Sequence, residues 1–422
     1  MTARLLSCGV VVVLLSAASA GAADRDRFWP QWRGPLHTGV APQGNPPVEW
    51  SETKNVKWKV EIPGQGSGTP VVWGDAIYVL TAVPTGAAGG AQQFTILAIG
   101  RRDGKTLWRK VLREEVPHEG HHATNTFASA SALTDGEHVY AFFGSRGLYA
   151  LDLKGNLKWE KDLGDMNIKL GFGEAASPAL HGDRLVVNWD HEGESFIVAL
   201  DKRTGQERWR VPREEKTSWS TPLVVEHAGR AQVITSATHR VRSYDLATGD
   251  LVWQASGMTA NAIPTPVHAD GIVYLTSGFR GNALMAVKLA EARGDITNTP
   301  AVIWRHDRDT PYVPSPLLYG EALYVLKSNS GVLSAFEAKT GRKLYGEQRI
   351  EGVPNVYASL VGAGGRVYIA GRDGGVAVVE QGPAFKLLAL NRLDDGFDAS
   401  PVPVADELYL RGRKYLYRIS AN

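Results

Sequence analysis

Phe196-Ile197-Val198-Ala199-Leu200-Asp201-Lys202-Arg203-Thr204-Gly205-Gln206-Glu207-Arg208-Trp209 reads as strand, tight turn, strand. Phe196 to Leu200 is a short apolar run, and Asp201 to Gly205 carries turn chemistry. The Asp oxygen bonds backbone groups ahead of it, while Gly supplies the positive φ that closes a short hairpin loop. Trp209 then offers a large apolar surface whose N–H still needs an acceptor. One hairpin cannot bury that surface alone, so copies are expected.

They recur along the chain. Leu97-Ala98-Ile99 with Asp103-Gly104 leads to Trp108, Leu148 to Asp152 with Gly155 leads to Trp159, and Val241 to Asp245 with Thr248-Gly249 leads to Trp253. Ala286-Val287 reaches Trp304 through an insertion, Ala290 to Thr299. Ser334-Ala335-Phe336 with Thr340-Gly341 ends on Tyr345, and a degenerate copy at Ala377-Val378-Val379 ends near Leu388. A second landmark has the same rhythm, a small hydroxyl residue before an apolar strand. It stands at Thr69, Ser131, Ser177, Thr221, Thr265, Ser315, Ser359 and Ser400, and Pro follows in most cases.

That gives eight starts for seven complete ends. After Ser400 the chain holds only three strands, ending in Tyr415 to Ile419, whereas Val56-Lys57-Trp58-Lys59-Val60 is a fourth strand with no hairpin before it. Placing the Trp58 strand outermost in the last unit closes a ring and removes the free sheet edge between the chain ends. A repeat of roughly 40 to 60 residues with four strands predicts an all-β, eight-bladed β-propeller of antiparallel blades. Trp58, Trp108, Trp159, Trp209, Trp253 and Trp304 are its expected docking residues.

Composition agrees. Apolar residues make up 43% of the chain, enough for cores between blades, and 46 glycines fit many tight turns. The 46 basic residues nearly balance the 44 acidic ones, which gives no reason to expect nucleic acid as a partner.

Residues 1–20 read as an export signal: Arg4 is the basic start, Val10 to Leu15 the apolar core, and Ala18-Ser19-Ala20 the small-residue cleavage site. The run is too short to span a membrane. Cys8 precedes the apolar core, whereas in a lipoprotein it would follow, so a lipid anchor is not expected. Cleavage removes Cys8, the single cysteine, and leaves no disulfide or thiolate metal site. The mature chain is expected in the periplasm or outside the cell, as a monomer. Residues 24–55 form an irregular arm rich in Trp, Pro and Gly, pinned on the propeller by aromatics such as Trp29 and Trp32, and residues 56–422 form the propeller.

The pattern apolar-Ala-Leu-Asp-x-x-Thr-Gly-x-x-x-Trp, as at Val198 to Trp209, resembles the tryptophan-docking repeat of pyrroloquinoline quinone (PQQ)-type propellers. That group includes quinoprotein alcohol dehydrogenases and the outer-membrane assembly lipoprotein BamB. The resemblance covers roughly residues 56–420. It implies the fold; activity must be argued from the loops.

Loops between second and third strands, and the connections between blades, converge on one face. Arg146, Arg240, Arg280, Lys327, Arg372 and Arg411 recur there blade by blade, and with Trp219 they are the candidates for binding a small anionic ligand. The alternative is a rim of cations paired with acids such as Asp373 and Asp398. The connection His118-Glu119-Gly120-His121-His122, with Asp190 and His191 nearby, has the chemistry of a metal site, although its spacing matches no standard zinc motif. The quinoprotein resemblance would imply PQQ with calcium. Trp219, Glu174, Asn261 and Asp398 lie in inter-blade connections where the residues of such a site could sit, but none aligns with a catalytic motif of those enzymes and their vicinal disulfide is absent. Other catalytic signatures, a Gly-x-Ser-x-Gly elbow or His-Glu-x-x-His, are missing. The reading is a non-catalytic scaffold that binds a protein partner or a small anion on its loop face; the alternative is a PQQ-dependent oxidoreductase.

Overall fold

The structure is a computed structural model that describes residues 25–86 and 89–421. The leader expected over residues 1–20, including Cys8, lies outside them. Eight antiparallel blades follow one another around a ring: 71–115, 133–161, 179–212, 223–255, 267–306, 317–349, 361–392, and 402–420 completed by 56–61. The ring closes as the sequence predicts. Val56–Glu61 pairs antiparallel with Tyr415–Ser420, placing Trp58 opposite Arg418.

The inner ends are tied by a belt that the Ser/Thr landmark encodes. The backbone N–H of Thr69 donates to Ser131 Oγ at 2.9 Å, Ser131 to Ser177, Ser177 to Thr221, and Thr221 to Thr265. Thr265 donates to Ser315, Ser315 to Ser359, Ser359 to Ser400, and Ser400 back to Thr69 Oγ1 at 3.1 Å. Each buried amide is thus satisfied by the next blade's hydroxyl, and the circuit is complete. Proline after most of these residues fits the geometry, because it fixes the extended entry into a strand that needs no donor there.

The outer ends are tied by the tryptophans. Every blade carries a one-residue bulge in its outermost strand pair, next to the Trp position, as between Ala199 and Leu200. The bulge turns the side chain toward the following blade. There the indole N–H donates to a turn carbonyl: Trp58 to Arg101, Trp108 to Leu153, Trp159 to Lys202, Trp209 to Leu246 and Trp304 to Ala338, all at 2.9–3.0 Å. The ring lies flat on the turn glycine, so that a Cβ on Gly205, with φ +71°, would meet Trp159 at 2.7 Å.

Trp253 departs from this expectation. Its N–H donates within its own blade, to Gln232 Oε1 at 3.2 Å. The fifth blade has no Asp-x-x-Thr-Gly turn to receive it; the insertion instead adds Gly294–Asp295 as a parallel fifth strand beside Trp253. Fully buried, Trp253 packs among Leu289, Ala292 and Ile296 of that insertion.

The arm plugs one end of the channel. Trp29, fully buried, exchanges two backbone hydrogen bonds with Val72 of the first blade. Val40–Ala41 then adds a parallel strand to the inner edge of the seventh blade. Between them Arg33 is buried without a carboxylate and donates to the carbonyls of Leu360, Thr38 and Pro316 at 3.1, 3.1 and 2.7 Å. Further on, Trp50 stacks on Tyr368 and its backbone N–H donates to Asn391 Oδ1, covering the seventh blade where Leu388 replaces the docking Trp.

Candidate functional site

The plug leaves the opposite, loop-bearing end of the channel open. Trp32 forms part of its floor; above stand the hydroxyl belt and then Trp219, Ile263, Val313, Tyr357 and Asp398, around a cavity of about 130 Å³. The inter-blade connections are long because the inner strands are only two to five residues, so the chain spends its length at this rim.

The six blade-by-blade cations lie on this side in different states. Arg146, itself largely buried, is bonded to Glu115 and Asp165 and reaches His118 Nδ1 at 3.0 Å. Arg240 pairs with Asp295 at 2.7 Å, Lys327 with Asp309 at 2.8 Å, and Arg372 with Asp398. Arg280 is exposed beside Phe279 with φ +52° and has no ion pair among the described residues. Arg411 faces inward: its guanidinium donates to Gly68 O and Leu80 O, and burial pulls it down to about 9, still cationic at neutral pH. The cations therefore do not form one uniform ring. Trp219 is buried and its N–H is spent on Gly173 O at 2.7 Å.

The five residues with metal-site chemistry do not meet at one point. His118 Nε2 lies 2.7 Å from Met166 O, His121 packs edge-on against Phe127, and His122 bonds Thr124. Asp190 is paired with Arg213, both side chains fully buried, and His191 Nδ1 accepts the Asn167 N–H. Instead, the folded chain gathers His118, Glu119 and Glu174, whose ligand-type atoms lie within 4.8 Å of one another. Each already has protein contacts. Glu119 accepts from Ile168 N, and Glu174 accepts from both the N–H and the hydroxyl of Ser145. They border a cavity of about 50 Å³ between the second and third blades. Part of Glu174 faces that cavity while its carboxylate is enclosed, and burial pushes it up to about 7 against the lowering pull of the Ser145 bonds. Gly144 makes the room: a Cβ there would stand 1.3 Å from Glu174 Oε2.

The quinone set fares no better. Glu174 is turned into this side cavity, Asn261 Oδ1 accepts from Lys169 Nζ at 3.0 Å, and Asp398 is held between Arg372 and Arg413. The three oxygen donors do not share a cradle for calcium, so the residues present do not fit PQQ with its metal.

One feature escapes any reading of spacing. Leu170 is 80% exposed, at the tip of the connection from the second blade to the third, with φ +53°. Gly171 N donates to Ile168 O and Phe172 N to Lys169 O, which fixes the turn. The turn is also clamped from three neighbouring connections: Ile168 N to Glu119, Lys169 N to Thr217 Oγ1, and Lys169 Nζ to Asn261. Met166 and Ile168 are buried beneath it. No sequence signal sets Leu170 apart from its apolar neighbours Ile168 and Phe172.

Comparison with known proteins agrees with this geometry. The family described as outer membrane protein assembly factor BamB matches residues 40–194 and 193–422, which together span the propeller. The outer membrane protein assembly factor BamB of Burkholderia pseudomallei (strain K96243) is 24% identical over 326 residues, 75% of this chain and 76% of that protein. Among solved structures, BamB from Moraxella catarrhalis superposes with a TM-score of 0.59 at 16% identity, covering 86% of this chain and 97% of its own. The quinohemoprotein alcohol dehydrogenase of Comamonas testosteroni reaches a TM-score of 0.64 at 10% identity, with 96% and 84% covered. At such identities the structural likeness carries the fold alone.

Proposed function

Because this chain belongs to the outer membrane protein assembly factor BamB family, we propose that it is a non-catalytic scaffold, exported to the periplasm, that docks a protein partner on its loop face. The observation that carries the reading is Leu170. Its large apolar side chain is presented 80% exposed by a clamped turn, where a partner could cover it. A backbone turn already fixed loses little freedom on binding, which favours it as an interface element. Val116, 54% exposed on the preceding connection, adds apolar surface to the same face. Among the described residues no helix is long and apolar enough to cross a membrane.

Capture of envelope proteins by immobilised mature chain tests this. Leu170→Asp should abolish capture of a partner that wild type retains, with an unchanged melting temperature. Equal capture by both proteins would remove Leu170 as the anchor. N-terminal sequencing of the protein from a periplasmic fraction should begin just after Ala20, and size-exclusion chromatography should give a monomer. Incubated with PQQ and calcium, the protein should bind no chromophore and reduce no dye; turnover would restore the oxidoreductase reading.

A further inference from the structure

The loops of the seventh and eighth blades, with residues 123–126 of the connection into the second blade, border an opening of about 320 Å³ at the channel mouth. Arg372, Arg411 and Arg413 line it, with Asp398 as its one lining carboxylate and Gln65 and Asn125 as neutral polar neighbours. Three guanidinium groups against one carboxylate leave an excess of two positive charges.

The way these groups are held matters more than their number. Asp398 spends one oxygen on Arg372 Nε and the other on Arg413 Nε, the latter at 3.1 Å. Both arginines are engaged through Nε, so their terminal Nη groups have no protein acceptor among the described residues. Arg372 is further fixed by lying over the Tyr357 ring at 4.3 Å. Arg411 is anchored by Gly68 O and Leu80 O, with Gly66 so close that a Cβ would stand 2.2 Å from its Nη2. Nearby acids are spent elsewhere. Asp395 accepts backbone N–H groups from Gly396, Arg413 and Tyr415, and Asp373 lies toward Arg392.

We propose that this pocket binds a small dianionic oxyanion, a phosphate or a dicarboxylate, through the free Nη ends of Arg372 and Arg413 with Arg411 behind them. Guanidinium forks match such oxygens two at a time, and here they are aimed before the ligand arrives. Two negative charges balance the excess that Asp398 leaves. The proposal does not rest on partner docking at Leu170: one is read by dianion binding and the other by partner capture, so their failures are distinguishable.

Calorimetric titration of the full mature chain in low-salt buffer tests the pocket, with inorganic phosphate in one arm and succinate in the other. Saturable binding of at least one dianion at one site per chain is expected, and the tighter one names the chemistry as tetrahedral or planar. R372Q/R413Q should weaken it by about tenfold or more. Arg413 is 51% exposed, so R413Q alone can be made without disturbing the core and should also weaken binding, whereas R413K should retain part of it. The proposal is overturned by no saturable binding of either dianion, by undiminished affinity in folded R413Q, or by equal competition from chloride at matched ionic strength.

Discussion

Trp209 lies flat on Gly249 of the next blade: a Cβ on that glycine would meet the indole at 2.9 Å, and the indole N–H reaches Leu246 O at the same distance. The contact joins an apolar face, a turn glycine with φ +82° and a hydrogen bond in one place. Trp209→Ala removes all three interactions, and because the indole is only partly buried its cost should be near the lower bound for such truncations, about 3 kcal/mol. Trp253→Ala should cost more, toward about 5 kcal/mol, since Trp253 is fully buried beneath the insertion. Urea unfolding of the two variants checks the order. Equal losses would mean that the indoles are held alike despite their different surroundings.

The hydroxyl belt makes a sharper chemical prediction. Ser315 Oγ accepts the buried Thr265 N–H at 2.9 Å, so Ser315→Ala leaves that amide without an acceptor and should cost about 1–3 kcal/mol. Ser315→Thr keeps the oxygen, as Thr265 itself does elsewhere in the belt, and should be nearly neutral. Hydrogen exchange localises the effect: the Thr265 amide should lose protection in the Ala variant and keep it in the Thr variant.

Arg33 fastens the arm across the channel base through three carbonyls, with burial pulling it down to about 9. Arg33→Ala leaves those acceptors unpaired and opens a cavity beneath the Trp32 floor. A loss of about 2 kcal/mol or more is expected, together with faster proteolysis in residues 25–55 and undisturbed blades by circular dichroism. An arm that stays equally protected would show that Trp29 and Trp50 suffice to hold it.

The propeller was legible because its signals are local and repeated. Asp, Gly and Trp sit within one hairpin, so fourteen residues from Phe196 to Trp209 contain the whole docking rule, and each further copy tests it. Trp253 shows the limit, since its receiving turn lies in another blade where an insertion replaced it. The site was harder for the same reason. Three histidines within five residues suggest convergence, yet the folded connection sends His118 to Met166, His121 to Phe127 and His122 to Thr124. Likewise, the cation positions were readable from blade to blade, but which of them are paired depends on Asp295, Asp309 and Asp398, which are set by loop paths. Leu170 carries no motif at all; its exposure exists only because three other connections clamp its turn.

Glu174 should leave a signature in the pH dependence of stability. Burial raises its carboxyl from the ordinary 4.5 to about 7 in the folded chain, so between those values the native state holds a proton that the unfolded chain releases. The contribution is fully present below the unfolded value, about pH 4.5, and is lost as pH rises through about 7, where the enclosed carboxylate must ionise. The shift corresponds to a loss on the order of 3 kcal/mol across that window. Glu174→Gln cannot ionise, so its stability relative to wild type should increase by about that amount between pH 4.5 and 8. The difference between the two proteins cancels other titrating groups, and it is read from urea midpoints at matched pH. A flat difference would mean that water enters the cavity beside Gly144 and keeps Glu174 ionised at no cost. Gly144→Ala supplies the complementary case, because its Cβ needs the space that the carboxylate fills. Expelling Glu174 toward solvent should return its pKa toward the ordinary value and remove the same slope, at a separate cost from the left-handed backbone at φ +58°.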